Sequence, residues 1–90
     1  MEWIFKVQRM TVLEEPNKST VALLDLLVND GLLLKGFAVK KGENGLFVDV
    51  PSKQGKVEKW YDQVEFFDKR VKKQMVEAVL AEYESKTVKA

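Results

Sequence analysis

The spacing of apolar and polar positions divides the chain into a long strand-forming part and one helical segment at its end. Up to about residue 67, apolar residues mostly alternate with polar ones, which is typical of β-strands. Over residues 68–85 they recur every three to four positions, as in an amphipathic helix. The pattern predicts an α+β fold, in which an antiparallel β-sheet of four to five strands is followed by a C-terminal amphipathic α-helix packed on it.

The first third of the chain contains two predicted strands. The first covers residues 3–13 and changes its apolar phase near Arg9, which predicts a bulge there. Residues 14–18 are polar, include a proline and are expected to form a turn. The second strand covers residues 19–28 and is followed by Asp30-Gly31, a pair typical of tight hairpin turns.

The next two strands are predicted on either side of an Asn44-Gly45 turn. The third strand covers residues 32–41, and Gly36 within it is a candidate bulge. Strict alternation places four of its side chains on one face: Leu33, Lys35, Phe37 and Val39. The fourth strand, residues 46–50, stops at Pro51, which has no N–H to donate to a sheet, and is interpreted as the centre of the sheet.

The remaining sequence predicts a loop, a last strand and the helix. Residues 52–59 are polar and are expected to form an exposed hairpin loop. Trp60 and Tyr61 begin an aromatic segment that is interpreted as the last strand. Their rings are favoured as core residues over base-stacking platforms, although one of the two must point away from the core. Asp68 is the expected N-cap of the helix. A single domain over residues 1–86 is predicted, with residues 87–90 as a frayed tail.

Composition indicates a small globular domain with a modest core. The chain has 90 residues, 46% of them hydrophobic, with five Gly and two Pro. A domain of this size buries a limited share of its surface, so association with a second copy is favoured. Fifteen Lys plus Arg against fourteen Asp plus Glu give a net charge of +1. Nucleic-acid binding therefore has to be argued from local clusters of charge and not from bulk basicity.

The lack of cysteine and histidine narrows the available chemistry. Neither a disulfide framework nor the common zinc-ligand spacings can be built, and a cytoplasmic location is expected. The apolar runs are too short for a membrane span, and the first ten residues lack the apolar core of a signal peptide. No cofactor, metal or small-molecule substrate is predicted, and no membrane association is expected.

Catalytic signals are weak. Asp25 and Asp49 could form a carboxylate pair, but solvent-facing acids on half-buried strands explain them as well and are favoured. Residues 42–45 are too short for a phosphate-binding glycine loop and are better explained as a turn. An enzyme is therefore the least favoured function.

The predicted helix start departs from the usual distribution of charge. Four cations crowd its first turn: Lys69, Arg70, Lys72 and Lys73. The helix macrodipole favours anions there, by about 0.3–1 kcal/mol each. Free backbone N–H groups together with four cationic side chains suit a phosphate. The alternative, favoured on the pattern alone, is a solvated helix face whose charge is balanced by acidic residues further along: Glu77, Glu82 and Glu84.

Several segments resemble one bacterial family in order and spacing. The resemblance covers roughly residues 21–84 and is strongest in the Asn-Gly-Leu-Phe-Val block and the Pro-Ser-Lys that follows it. The matching segments are Lys35-Gly36-Phe37-Ala38-Val39, Asn44-Gly45-Leu46-Phe47-Val48, Pro51-Ser52-Lys53, Tyr61-Asp62 and Glu77-Ala78-Val79-Leu80-Ala81-Glu82-Tyr83. With these residues the chain resembles the stage V sporulation protein G (SpoVG) family of septation regulators.

The resemblance implies a small α+β domain, usually a homodimer, that binds DNA and RNA and regulates septation, sporulation or other gene expression. It also implies nucleic-acid contacts from basic residues at the start of the C-terminal helix. One such family position falls on Lys72, and a second falls on Gln74, which carries no charge.

Two functions from different classes follow. The first is a nucleic-acid-binding regulator that contacts phosphates through Lys69, Arg70, Lys72 and Lys73, with Lys53 and Lys56 as helpers in the loop after Pro51. The second is a protein-interaction module that docks a cell-division or regulatory partner through a sheet edge or helix face, without binding nucleic acid.

Overall fold

The computed structural model describes residues 2–13, 19–55 and 59–87, and its architecture is α+β. The strands are β1 (Phe5–Val12), β2 (Thr20–Val28), β3 (Leu32–Gly42), β4 (Gly45–Asp49), β5 (Ser52–Gln54) and β6 (Trp60–Asp62), and the helix is α1 (Lys69–Thr87). The predicted fold class is confirmed. The expected turn at residues 14–18 and the proposed contact Lys56 lie outside the described residues.

The strands form one four-stranded sheet and one separate ribbon. The sheet is antiparallel in the order β1-β2-β3-β4, and β5 pairs with β6. The prediction that the strand before Pro51 lies at the centre of the sheet is therefore wrong, because β4 pairs with β3 and forms an edge. After Asp49 the chain leaves the sheet through Val50 and Pro51, and β2 and β3 occupy the centre.

Two of the three register shifts in the sheet keep its apolar side chains on one face; the third lies between Thr20 and Ala22. In β1 the register with β2 shifts between Val7 and Arg9, as predicted. In β3 the register shifts at Gly36, which has a φ of +91°. Such a backbone conformation is open to glycine and strained for other residues, so the candidate bulge at Gly36 is confirmed.

The bulge at Gly36 also reverses the side-chain faces of β3. Phe37 and Val39 are fully buried, but the residue before the bulge that packs on the core is Leu34. Leu33 is 41% exposed. The prediction that Leu33 and Lys35 share a face with Phe37 is wrong, because the extra residue shifts the two-residue alternation by one position.

Both hairpin turns form, each with its two central residues one position before the expected pair. In the first turn the positive φ values belong to Asn29 (51°) and Asp30 (57°), not to Gly31, whose N–H donates to the Val28 carbonyl at 3.0 Å. In the second turn Gly45, with a φ of +113°, is already the first residue of β4. The residues between the strands are therefore Glu43 and Asn44.

The core lies between one face of the sheet and α1. Met75 and Val79 of the helix are fully buried and belong to one core cluster with residues of β2, β3 and β4, and the flanking helix residues Val76, Leu80 and Tyr83 pack around this cluster. This confirms the apolar stripe predicted from the four-residue spacing. The buried strand residues are Ala22, Leu24, Leu26, Val28, Phe37, Val39 and Val48.

The segment before the helix differs from its prediction. Only Trp60–Asp62 is a strand, and it pairs with β5 outside the main sheet. Trp60 is 63% exposed and Tyr61 49% exposed, so their interpretation as core residues is wrong. The helix packs on β1, β3 and β4, which leaves the ribbon without a covering layer. The helix ends at Thr87, two residues after the helical pattern of residues 68–85.

The bulge at Gly36 gives a testable stability effect. We expect Gly36→Ala to lower the free energy of unfolding by about 1–3 kcal/mol, because alanine is strained at a φ of +91°. A Cβ there would meet Pro51 at 3.7 Å, an ordinary contact, so the loss would come from the backbone and not from a clash. Urea denaturation measures the difference.

Gly31→Ala is the matched control for this substitution. A Cβ at Gly31 would meet only the Asn29 carbonyl oxygen, at 3.7 Å, and Gly31 is not among the glycines with a positive φ. Its expected effect is within about 0.5 kcal/mol. Equal losses for the two variants would show that the bulge does not depend on glycine.

Candidate functional site

The start of α1 is capped by Asp68, as predicted. The Arg70 backbone N–H donates to Asp68 Oδ1 at 2.9 Å, and the backbone N–H groups of Val71 and Lys72 both donate to the Asp68 carbonyl at 3.1 Å. This arrangement satisfies the first donors of the helix with groups from the same chain. The prediction of free backbone N–H groups at this end does not hold for Arg70, Val71 and Lys72, whose N–H groups Asp68 already accepts.

Asp68 and Arg70 also form a two-point ion pair. Arg70 Nε lies 3.2 Å from Asp68 Oδ1, and Arg70 Nη2 lies 3.1 Å from Oδ2. The side-chain hydrogen bond from Arg70, and then the backbone one, lower the pKa of Asp68 below its ordinary 3.8, and the same carboxylate raises the pKa of Arg70. The charge of Arg70 is thus partly balanced, although its side chain is 90% exposed.

The three lysines of the cluster lie around one shallow cleft. Lys69, Lys72 and Lys73 line it together with Val76 and Glu77. All three lysines are exposed, and none forms an ion pair with another residue in the described parts of the chain. The structure therefore brings these three predicted contacts together on one flank of the helix start.

Only one of the acidic residues further along the helix lies beside this lysine cluster. The first turn contains no acid. Glu82 lies 4.0 Å from Lys86, at the opposite end of the helix. Glu77 is the one acidic residue that lines the lysine cleft. The helix is consequently more basic at its start than the balanced composition of the chain implies.

Arg70 lies on a different flank from the lysines. It lines a cleft with Asp68, Val71 and Gln74, whose opposite side is formed by Glu2 and Trp3. Gln74, at the position where the resemblance implies a basic residue, is exposed in this same cleft one helical turn after Arg70. The cation that shares this flank with Gln74 is therefore Arg70, which already pairs with Asp68.

The helper lysine Lys53 is not part of the helix cluster. Lys53 lies in β5, exposed, directly across the ribbon from Tyr61. Lys56 lies outside the described residues. Among the described residues, the lysines that share this cleft all belong to α1.

An apolar groove beside the helix start was not anticipated from the sequence. It has a volume of about 540 Å³ and lies between the start of β1, the β2–β3 hairpin and the segment that enters α1. Its apolar lining includes Trp3, Leu32, Phe66, Phe67 and Val71, and Phe67 is 93% exposed. The signal that could have revealed it is the Phe66-Phe67 pair immediately before the N-cap, where the strand period ends.

The remaining chemical candidates have structural explanations. Asp49 lies 2.9 Å from Lys40 Nζ on the neighbouring strand. Asp25 is opposite Arg9 on one side and Lys35 on the other. The described residues contain no group of three or more potential metal ligands. They also contain no helical segment that could serve as a membrane span.

Comparison with known proteins identifies one family. The SpoVG family model matches residues 3–85, which is nearly the whole chain. Among curated protein sequences, no significant match to the chain is found.

The cap at Asp68 gives a pH-dependent prediction. Because its pKa is lower in the folded chain, the stabilisation is complete above the ordinary pKa of 3.8 and is lost as the pH falls through the folded value. We expect Asp68→Ala to lower the urea midpoint at neutral pH, with a difference from the parent chain that shrinks below pH 4. Urea denaturation followed by circular dichroism across pH 2–7 measures this.

Asp68→Asn separates the cap from the charge. Asparagine also accepts the Arg70 backbone N–H, so it should retain more stability at neutral pH than alanine does. Since it has no carboxyl group, it should lose the part of the acid dependence that comes from Asp68. An acid dependence identical in the parent chain and both variants would exclude a role for the Asp68 charge.

Proposed function

The chain belongs to the SpoVG family, and we propose that this sporulation- or septation-related regulator acts by binding DNA or RNA through the lysines at the start of α1. The observation that carries the proposal is the juxtaposition of Lys69, Lys72 and Lys73 around one cleft at the positive end of the helix. Three exposed ammonium groups on one rigid element form a surface of the kind that attracts a phosphate backbone.

The capping geometry defines which groups would contact phosphate. Asp68 accepts the helix-end N–H groups, so the contacts are assigned to side chains and not to the backbone. Arg70 is paired with Asp68 and has a smaller role in this scheme than the three lysines. Lysine binds phosphate as a point charge on a flexible stem, with little demand on geometry.

The expected binding is salt-sensitive and only weakly selective for sequence. Contacts to phosphate position a protein on nucleic acid but carry no sequence information directly. The resemblance implies a basic residue at position 74, but Gln74 is uncharged there, so one expected phosphate contact is missing. A cytoplasmic setting, expected from the absence of cysteine, is part of the same proposal.

We also propose a homodimer, with β4 as the edge that pairs. The two edges of the sheet differ: β1 carries a bulge between Val7 and Arg9, a device that protects an edge strand from pairing. β4 pairs with β3 without a register shift and exposes Leu46 (37%) and Phe47 (46%). Pairing of two β4 strands would present two basic helix starts to one nucleic acid.

The second candidate function, a protein-interaction module, is favoured by the apolar groove and by Phe67. An exposed apolar surface of this kind often marks a protein contact. This function predicts no retention of nucleic acid at low salt and a strong dependence on Phe67.

Replacement of the lysine cluster tests the first function. We expect Lys69→Gln, Lys72→Gln and Lys73→Gln in one chain to weaken binding to DNA and RNA, and to reduce the slope of log K against log salt by up to about 2.7 for duplex DNA. Fluorescence anisotropy with labelled oligonucleotides at several salt concentrations provides both quantities. Arg70→Gln alone should have a smaller effect because Arg70 already pairs with Asp68.

A charge-matched variant controls for net charge. Lys6→Gln, Arg9→Gln and Lys86→Gln together remove the same charge at positions outside the cluster, and should change the slope much less. The first function is excluded if the parent chain binds neither nucleic acid at low salt. Equal effects of the two triple variants would exclude the cluster as the contact surface.

The dimer edge is tested separately with Phe47→Lys. A charge on an exposed edge strand opposes pairing with a second copy, so the variant should sediment as a monomer at concentrations where the parent chain is a dimer. Sedimentation velocity measures the two states. A dimer that persists in Phe47→Lys would place the interface elsewhere, and circular dichroism confirms that the variant remains folded.

A further inference from the structure

The β5–β6 ribbon is a defined structural unit that projects from the sheet. Ser52 pairs with Asp62, Lys53 with Tyr61 and Gln54 with Trp60, and all six residues are exposed. Backbone hydrogen bonds close both ends: the Gly55 N–H donates to the Lys59 carbonyl at 2.7 Å, and the Gln63 N–H donates to the Pro51 carbonyl at 2.7 Å.

The ribbon exposes two large aromatic rings to solvent. Trp60 is 63% exposed and Tyr61 is 49% exposed, although residues of this kind are usually largely buried. Because successive side chains of a strand point to opposite faces, the two rings lie on different faces of the ribbon. Neither ring belongs to the core cluster.

Tyr61 is fixed in place by its neighbours. A Cβ at Gly55 would come within 2.5 Å of a Tyr61 ring carbon, so only glycine allows the ring to lie where it does. Lys59 Nζ lies 5.8 Å from the centre of the ring, and Lys53 is its cross-strand partner. Tyr61 therefore has Lys59 over its ring and Lys53 as its cross-strand neighbour on the same face, while Trp60 on the other face neighbours the uncharged Gln54.

We propose that the β5–β6 ribbon is a second contact surface, specific for single-stranded nucleic acid. A base stacks on the indole ring of Trp60 on one face, and the strand passes round the ribbon so that phosphates of neighbouring nucleotides meet Lys53 and Lys59 on the Tyr61 face. This inference rests on the proposed function, since it names the class of nucleic acid that the protein prefers.

The surroundings of the rings favour a nucleic acid over a protein partner at this surface. The other residues of β5 and β6 are polar or charged, namely Ser52, Lys53, Gln54 and Asp62, and the contiguous apolar groove lies elsewhere. Exposed aromatic rings beside cations are the usual way to bind unpaired bases, because every base has a face that can stack. In a duplex those faces are covered by neighbouring bases. Asp62, the one acid of the ribbon strands, is at the end away from Gly55.

The test uses the full chain with Trp3→Phe, so that Trp60 is the single tryptophan. A single-stranded pyrimidine oligonucleotide, as DNA and as RNA, should quench the Trp60 fluorescence, and a duplex of equal length should not. Trp60→Ala should weaken single-strand binding roughly 5- to 150-fold, the range for one stacked base, and leave duplex binding unchanged. Trp60→Phe retains a flat ring and should keep most of the affinity.

Gln54→Ala is the matched control, since it truncates the cross-strand neighbour of Trp60 without removing a ring. It should leave both affinities unchanged. Unaltered single-strand affinity in Trp60→Ala, or equal losses in Trp60→Ala and Gln54→Ala, would overturn the ribbon proposal while the helix proposal stands. Binding of the parent chain to duplex but not to single strands would also overturn the ribbon proposal while the helix proposal stands. Absence of binding to any oligonucleotide at low salt would overturn both proposals.

Discussion

The burial of one apolar sheet face beneath a single helix is the constraint on which the rest of this structure depends. Met75 and Val79 have no exposed surface, and burial of such side chains contributes about 1.5–3 kcal/mol each. This contact sets the rotation of α1 about its axis. Because the apolar stripe must face the sheet, the lysines of the first turn are directed away from the core. Their exposure follows from packing and needs no separate explanation.

The sheet can accept the helix only because its apolar face is continuous, and two irregularities maintain it. Strict alternation would have placed Leu33 over the core and Leu34 in solvent. The extra residue at Gly36 reverses that assignment, and the shift between Val7 and Arg9 does the same in β1. The bulges thus keep the apolar face continuous, although the residues at them, Gln8, Arg9 and Gly36, are exposed.

The charged residues of the helix start and the ribbon lie outside this core. Asp68 satisfies the helix end with its own carboxylate and holds Arg70, which leaves the lysines as the unpaired cations of that region in the described structure. The ribbon is a second, independent surface, because β5 and β6 pair with each other and not with the sheet. The helix start therefore exposes positively charged side chains, whereas the ribbon exposes aromatic rings together with lysines.

The sequence by itself determined the α+β class, the strand order along the chain, the N-cap at Asp68 and the apolar stripe of α1, because these depend on local periodicity and on the chemistry of single residues. Tertiary structure alone decided that β4 lies at an edge, that Leu34 and not Leu33 faces the core, and that Trp60 and Tyr61 are exposed. Of the candidate site, the cations of the helix start were predictable, whereas their division into three lysines and one paired arginine was not. The local pattern of apolar and polar residues does not determine these features, because they depend on contacts between segments. This applies to strand neighbours, to side-chain faces beyond a bulge and to ion pairs.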